Sequence, residues 1–431
     1  MEGLITAGRG GRNGTGLRAS PKFGLSRKDL RDTPVRACPL RVGKAVLLAI
    51  LGSAALAAPS AEGQVFRPLS WPLGNAELRL GGEAGGALFN PNQPGWSGAQ
   101  ASGDVRLMPE IRRDYDSGLG LSLGGTFAAE DPLSRGRYDG DVIERLAGEL
   151  RTGLGKLEVG ITDGAGYDLA ASGPKVDPGV SLDDPRTSFY RDPASHRPVN
   201  GLFALRNEVG ASSNYAKFAY TSPSLLGVQL ALSFAPTEAK ELPFLNAGPH
   251  LPGRQVDIWE GAIRYETDLG PASLTAYGAF AEGRAEHKLA GQEGVSDLGA
   301  GVKADYPLTD DLTLSAGGSW RQSNAHAFNI NQSFQGGTTR GGFVSTAVSY
   351  RQWMAGLEYG TGIADAVPGA PRLAQNGLEA SLGYAASSSA SISTGWQRLA
   401  YSRGSGTFFN GLPQLKLDAF YLHVNLKTSQ E

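Results

Sequence analysis

Six aspartates crowd one stretch of this sequence: Asp163, Asp168, Asp177, Asp183, Asp184 and Asp192, against Lys175, Arg186 and Arg191. The chain before it is rich in arginine, with Arg79, Arg106, Arg112, Arg113, Arg145 and Arg151. Fixed charges of opposite sign, held across a gap, create a transverse field that sorts ions passing between them. Other chemistry finds little footing. The histidines His196, His250, His287, His326 and His423 lack metal-ligand spacing, and no His-Glu-x-x-His occurs. One Gly-x-Ser-x-Gly occurs, Gly120-Leu-Ser-Leu-Gly124, but it lies inside an alternating run and not at a strand-to-helix turn, so it offers no nucleophile elbow. The run Gly81-Gly82-Glu83-Ala84-Gly85-Gly86 does not lead into a helical pattern, so it is no phosphate cradle. Asp139-Gly-Asp-Val-Ile-Glu144 holds carboxylates but lacks most of the ligand pattern of a Ca2+ loop. No catalytic residue, metal or cofactor is expected.

Whether the two sets of charge meet depends on the elements that carry them. Alternation marks those elements as strands. Leu119, Leu121, Leu123, Gly125 and Phe127 alternate with Gly120, Ser122, Gly124 and Thr126. Phe420, Leu422, Val424 and Leu426 alternate with Tyr421, His423, Asn425 and Lys427. Sixteen such stretches can be marked: 77–86, 99–113, 119–129, 143–152, 156–162, 214–221, 226–235, 255–268, 271–283, 295–307, 311–322, 342–351, 353–362, 376–387, 389–402 and 414–428. Most exceed the ~5–6 residues of a globular strand and approach the ~9–11 of a membrane-spanning one. The joints after even-numbered stretches are tight, and those after odd-numbered stretches are long and polar. An up-and-down barrel in an outer membrane sorts its connections in this way, and a soluble sandwich has no reason to. Aromatic residues near strand ends fit interfacial girdles. The expectation is an all-β, transmembrane, antiparallel barrel of about 16 strands.

The start of the chain agrees. The apolar run from Ala45 to Ala58 follows Arg36, Arg41 and Lys44 and precedes Pro59-Ser60-Ala61. That is the pattern of a secretory signal, placed at 36–61, with 1–35 as an extension outside the fold and 62–431 as a single barrel domain. Residues 1–61 hold ten of the 40 basic and three of the 42 acidic residues, which leaves 30 against 39, formally −9. Such an exported, mildly acidic chain is no nucleic-acid binder. Cys38 lies ahead of the apolar run, so the mature part has no disulfide or thiolate site.

The longest gap without alternation, Asp163 to Ser213, is the acidic segment itself. A structureless stretch of that length is functional or argues against the assignment. A sixteen-stranded barrel leaves an aqueous lumen, and a segment folded into it would narrow the path. The acidic side of that constriction is expected at Asp163, Asp168, Asp177, Asp183 and Asp184, and the basic wall at Arg79, Arg106, Arg113, Arg145 and Arg151. Arg112 and Arg113 are neighbours on one strand and cannot both point inward.

The segment Asn214-Tyr-Ala-Lys-Phe-Ala-Tyr-Thr-Ser-Pro-Ser-Leu-Leu-Gly-Val-Gln-Leu-Ala-Leu-Ser-Phe-Ala-Pro236 resembles the part of Gram-negative general porins that follows their constriction loop. Arg145-Leu-Ala-Gly-Glu-Leu-Arg-Thr-Gly-Leu-Gly-Lys-Leu-Glu-Val-Gly160 is similar to the family's strand pair before that loop. The resemblance implies a sixteen-stranded channel, a homotrimer in a lipid bilayer with lipopolysaccharide, passing small polar solutes and ions passively. It also implies that the segment after Gly160 folds inward. Two departures stand out: family members commonly end on an aromatic residue, whereas this chain runs past Leu426 to Glu431, and its loop is long and rich in proline. The net −9 points to mild cation preference. Two other readings are a receptor or adhesin barrel with a plugged lumen, using the loops 236–254 and 323–342, and a secreted soluble β-protein.

Overall fold

The structure is a computed structural model that describes residues 66–92, 98–130, 143–183, 190, 205–206, 208–238, 253–325, 334–408 and 410–428. The segments read as extension and signal, 1–35 and 36–61, lie outside the described residues. Seventeen strands follow one another: β1 (Leu69–Leu73), β2 (Ala76–Asn92), β3 (Gln100–Asp114), β4 (Gly120–Glu130), β5 (Ile143–Thr152), β6 (Gly155–Thr162), β7 (Tyr215–Thr221), β8 (Val228–Thr237), β9 (Gln255–Leu269), β10 (Ala272–Ala285), β11 (Ser296–Thr309), β12 (Leu312–Ala325), β13 (Phe334–Tyr350), β14 (Trp353–Ala364), β15 (Leu373–Ser387), β16 (Ala390–Arg403) and β17 (Gln414–Lys427). Among the described residues one short helix, α1 (Ala165–Asp168), interrupts them between β6 and β7. Among the described residues no helix is long and apolar enough to cross a membrane.

Every strand from β2 to β17 pairs antiparallel with its sequence neighbours, and β17 pairs with β2, so the sheet closes. Closure leaves no edge strand in the ring, as a barrel in lipid requires. The sixteen stretches expected from alternation are β2 to β17. Seven tight turns alternate with the longer connections, as their lengths in the sequence imply.

The strands sort their side chains by parity. Leu107, Ile111, Leu123, Val302, Val344 and Leu357 stand outward and exposed. Trp259, Phe280 and Trp320 lie outward towards the long-loop ends, and Tyr220, Tyr265, Tyr306, Tyr350 and Trp353 outward at the turn ends. An exposed apolar belt flanked by aromatic rings is a lipid-facing wall. The opposite parity is buried and polar, with Glu158, Lys217, Glu260, Glu358, Glu379 and Gln397 on the lumen side.

Strand β1 was not among the expected sixteen. It pairs with Ala76–Leu80 of β2, while β17 pairs with β2 only from Glu83 upward. Both run antiparallel to β2 on the edge that β3 leaves free, so β1 continues the column that β17 begins. Thr428 donates its N–H to the Gly82 carbonyl at 2.8 Å. The Ser389 carbonyl accepts from the Lys427 N–H at 2.8 Å, and its hydroxyl accepts from the Phe66 N–H at 2.9 Å. Without β1 the lower end of β2 would expose unpaired backbone groups.

Candidate functional site

The connection from β6 to β7 folds inward and is pinned to the lumen side of the wall. At its start, Ala165 N–H donates to Ser233 Oγ of β8 at 3.0 Å and Gly166 N–H to Glu260 of β9 at 3.2 Å. The Tyr277 hydroxyl of β10 donates to the Gly166 carbonyl at 2.7 Å. At its end, Ser212 N–H donates to the same Glu260 at 2.6 Å, and buried Lys217 donates to the carbonyls of Thr162, at 2.7 Å, and Ser212. Between these, Leu182 N–H and Ser181 Oγ donate to Glu358 of β14 at 3.0 and 2.8 Å. Gln397 of β16 donates to the Val180 carbonyl at 2.8 Å. Asp177 accepts from Ser393 of β16 and pairs with His423 Nδ1 of β17 at 2.7 Å.

Apolar packing reinforces the pins. Val180, Leu182, Tyr190 and Leu205 of the connection are buried with Phe89, Phe343, Leu399 and Leu417 of the wall. Glycines let the connection lie this close. A Cβ on Gly356 would sit 2.6 Å from Val176 and one on Gly377 2.9 Å from Leu182. The dense glycine of the strands therefore clears a trough for the inward segment, which is a use of strand glycine that backbone approach predicts.

The expected acidic residues have different fates. Asp163 is half-buried, and burial pushes its carboxyl up against the pull of Lys217 and Arg145. Asp168 faces pore water but is hemmed in by protein, and that desolvation pushes it up to about 6. Burial works against the Asp177 carboxylate too, yet its bonds from His423 and Ser393 hold it down at about 2. Buried Asp183 pairs with Lys175, which keeps it below the usual carboxylate range despite burial. Burial alone would lower the Lys175 ammonium, but Asp183 and Glu208 hold it above the usual lysine range. Asp184 and Asp192 lie outside the described residues.

The arginines depart further from expectation. Arg79 pairs with Glu77 at 2.7 Å, Arg151 with Glu149, and Arg145 with Glu158 and, at 3.9 Å, Glu149. Arg106 meets Asp104 at 2.5 Å, Glu144 at 3.0 Å and Glu83 at 3.7 Å. These guanidiniums belong to a cross-strand lattice of wall carboxylates, because the inward rows of β2 to β6 carry both signs. They do not stand as a bare basic wall. Of the five, Arg145 lines a cavity with Asp163 and Asp183, and Arg106 lines another with Asp177. Arg113 is a correction: it shares the outward parity of Leu107 and Ile111, and its guanidinium lies 4.4 Å over the Tyr115 ring. Arg112 is the inward one, opposite Glu77 and paired with Asp114 at 2.7 Å.

Two polar cavities flank the inward segment. One, of about 280 Å3, is bordered by Glu144, Arg145, Asp163, Lys175, Asp183 and Arg321. The other, of about 310 Å3, is bordered by Glu83, Asp104, Arg106, Asp177 and His423. Pro178 borders both.

A sequence model described as Gram-negative porin matches residues 45–408. The chain belongs to the Gram-negative porin family. No curated protein matches it. Solved structures with the same fold include Salmonella typhi OmpF in complex with daunomycin, at 11% identity and a TM-score of 0.54, covering 83% of this chain and 100% of that one. The trimer form of in-vitro folded OmpT, an outer membrane protein of Vibrio cholerae, has 13% identity and a TM-score of 0.51, covering 82% and 99%. An anion-selective porin from Comamonas acidovorans has 14% identity and a TM-score of 0.50, covering 82% and 99%. The protein is thus an outer-membrane porin, and its site is the lumen just described.

Several residues of this porin's lumen escaped the sequence. Glu144 looked at most like part of a weak Ca2+ pattern. It faces inward beside Arg145 because the β4–β5 ladder shifts register between Thr126 and Phe127, a bulge that sets two residues against one. Arg321 is clasped by Asp297 through the Nε–Nη2 edge of its guanidinium. His423 was legible as an inward position of the last strand, but its partner Asp177 was not.

Proposed function

We propose that this porin is a passive, water-filled channel for small hydrophilic solutes and ions, weakly cation-preferring, with its narrowest passage between Pro178 and the β3–β5 wall. The inward segment pinned from β8 round to β17, with polar cavities on both sides of Pro178, carries this reading. The acidic excess of residues 62–431 supports the cation preference. The acidic loop residues and the arginine-bearing wall act as a mixed lattice around the passage, not as two opposed plates. A homotrimer embedded among lipid and lipopolysaccharide fits the fold shared with an outer membrane protein solved in a trimer form. The charged, apolar and small-residue pattern at 36–61 supports export by a secretory signal, a step that an outer-membrane barrel requires.

No catalysis is proposed. Ser393, His423 and Asp177 come together, but serine and histidine both converge on the aspartate. A serine nucleophile needs the histidine as its base, and here the serine proton goes to a carboxylate. Planar-bilayer recording of purified, folded protein tests the channel: discrete single-channel steps are expected, and their absence overturns it. Sugar uptake in a liposome-swelling assay separates an open lumen from a plugged receptor barrel.

A further inference from the structure

The polarity of the wall inverts at the loop ends of β15 to β17. Trp396 and Phe420 face each other across β16 and β17 on the outer surface, where Phe420 is 63% exposed. Beyond them Leu399, Tyr401, Leu415 and Leu417 are buried inside, because Val180 and Leu182 of the inward segment pack there. By the period of two, Arg398, Ala400, Ser402 and Lys416 stand outward. Charge on a lipid-facing row is costly at mid-bilayer and cheap only near the surface. Arg398 is two residues beyond Trp396, and Lys416 four beyond Phe420. At ~3.4 Å per residue and a tilt of ~35–45°, they lie about 5 and 10 Å above these rings, at headgroup level on the long-loop side.

These side chains share one small shelf. Ala400 is its centre, with Asn376 of β15 and Lys416 of β17 as ladder partners and Arg398 and Ser402 on its own strand. Such neighbours lie roughly 5–7 Å apart, and a methyl group at the centre lets longer side chains converge over it. The Arg398 guanidinium lies 5.0 Å over the Trp396 ring and donates from Nε to Asp418 at 2.7 Å, which steadies it and leaves its Nη groups to donate outward. The Thr361 hydroxyl donates to Asn376 Oδ1 at 2.8 Å, which leaves the Asn376 NH2 group as a donor. Lys416 is exposed and has no ion-pair partner among the described residues. Asp418 is the one carboxylate on the outward rows of these three strands among the described residues, so the shelf holds two cations to one anion.

We propose that this shelf binds a phosphate group of lipopolysaccharide on the outer face of the barrel. Arg398 presents a planar fork that suits phosphate oxygens, Lys416 adds a point charge, and Asn376 adds a neutral donor. Nearer mid-bilayer, exposed Phe420, Leu382 and Ile392 give the acyl chains of the same molecule an apolar seat. A lipid phosphate meets both halves of this surface, and a soluble anion meets only the upper one. The site presupposes the membrane placement proposed above and is independent of the ion preference of the pore.

Titration of fluorescent lipopolysaccharide into purified, folded protein in detergent tests the site, with a dephosphorylated form of the same lipopolysaccharide beside it. The variants are Arg398→Gln, Lys416→Gln, their double, and Arg351→Gln as an exposed basic side chain at the turn end. Each shelf variant is expected to weaken binding about fivefold, the scale of one basic side chain at an anionic lipid surface. The double should weaken it further, Arg351→Gln should bind as wild type does, and the dephosphorylated form should bind wild type and double variant equally weakly. Heat-dependent mobility on gels reports folding, and single-channel conductance should not change, because these side chains face away from the lumen. Wild-type affinity in the folded double variant, full affinity for the dephosphorylated form, or an equal loss in Arg351→Gln overturns the proposal. Variants that dissociate an oligomer while still binding lipopolysaccharide would also overturn it, and would assign the shelf to contact with a second copy. Absence of single-channel steps would sink the channel reading and leave the lipid titration to be judged by itself.

Discussion

A carboxyl pushed up to about 6 is still partly neutral in mildly acid water, and Asp168 is such a group. Its folded value lies above the ~3.9 of a free aspartate. Its ionised form is therefore a cost to the fold, present above about pH 6 and relieved as pH falls towards 4. Lowering the pH from 7.5 to 5 should remove this charge from the lumen and reduce cation preference. Zero-current potentials across that range should show a step near pH 6 that Asp168→Asn abolishes. At this scale the sequence was a partial guide. It showed which residues were charged and which positions alternate, so Asp177 and Asp183 could be placed on the inward segment. Its choice of Arg113 over Arg112 failed on parity, since along β3 Arg113 falls in step with outward Leu107 and Ile111, and Arg112 with inward Arg106. Nor could it foresee that Arg106 would be claimed by carboxylates from β2, from its own strand and from β5 beyond β4.

The strands were the most legible elements, since a wall between lipid and water imposes strict period two on the sequence. Strand β1 was the exception. Leu69, Trp71 and Leu73 alternate with Ser70 and Pro72, but the run is short and a proline demotes it. It exists because β2 outruns β17, a mismatch visible only in the pairing. The inward segment was found by its lack of period, but its seat was hidden in distant glycines and in Glu260 and Glu358. That seat is testable. Leu182→Ala should weaken the anchoring by roughly 2–4 kcal/mol, as for other buried leucines, and appear as greater current noise in single channels. Gly356→Leu should drive a side chain against Val176 and push the segment towards the passage. A lower single-channel conductance in the folded variant is the expected result, and an unchanged one would show that the segment accommodates the added bulk.

At the scale of the whole molecule, the residues 414–428 and 69–73 occupy one column of the wall, end to end and pointing the same way. Phe66 and Lys427 both bond to Ser389, so the two stretches of chain come within reach of a short linker. A permuted gene that joins residue 428 to residue 66 and begins at Ala272, after the turn between β9 and β10, should give a barrel with unchanged conductance and ion preference. Bilayer recording of that permutant checks it, and loss of channels from a folded, heat-modifiable product would contradict it. Geometrically the wall is a cycle with no first member. The place where translation starts answers to export, and any of the tight turns could serve as the origin of the same pore.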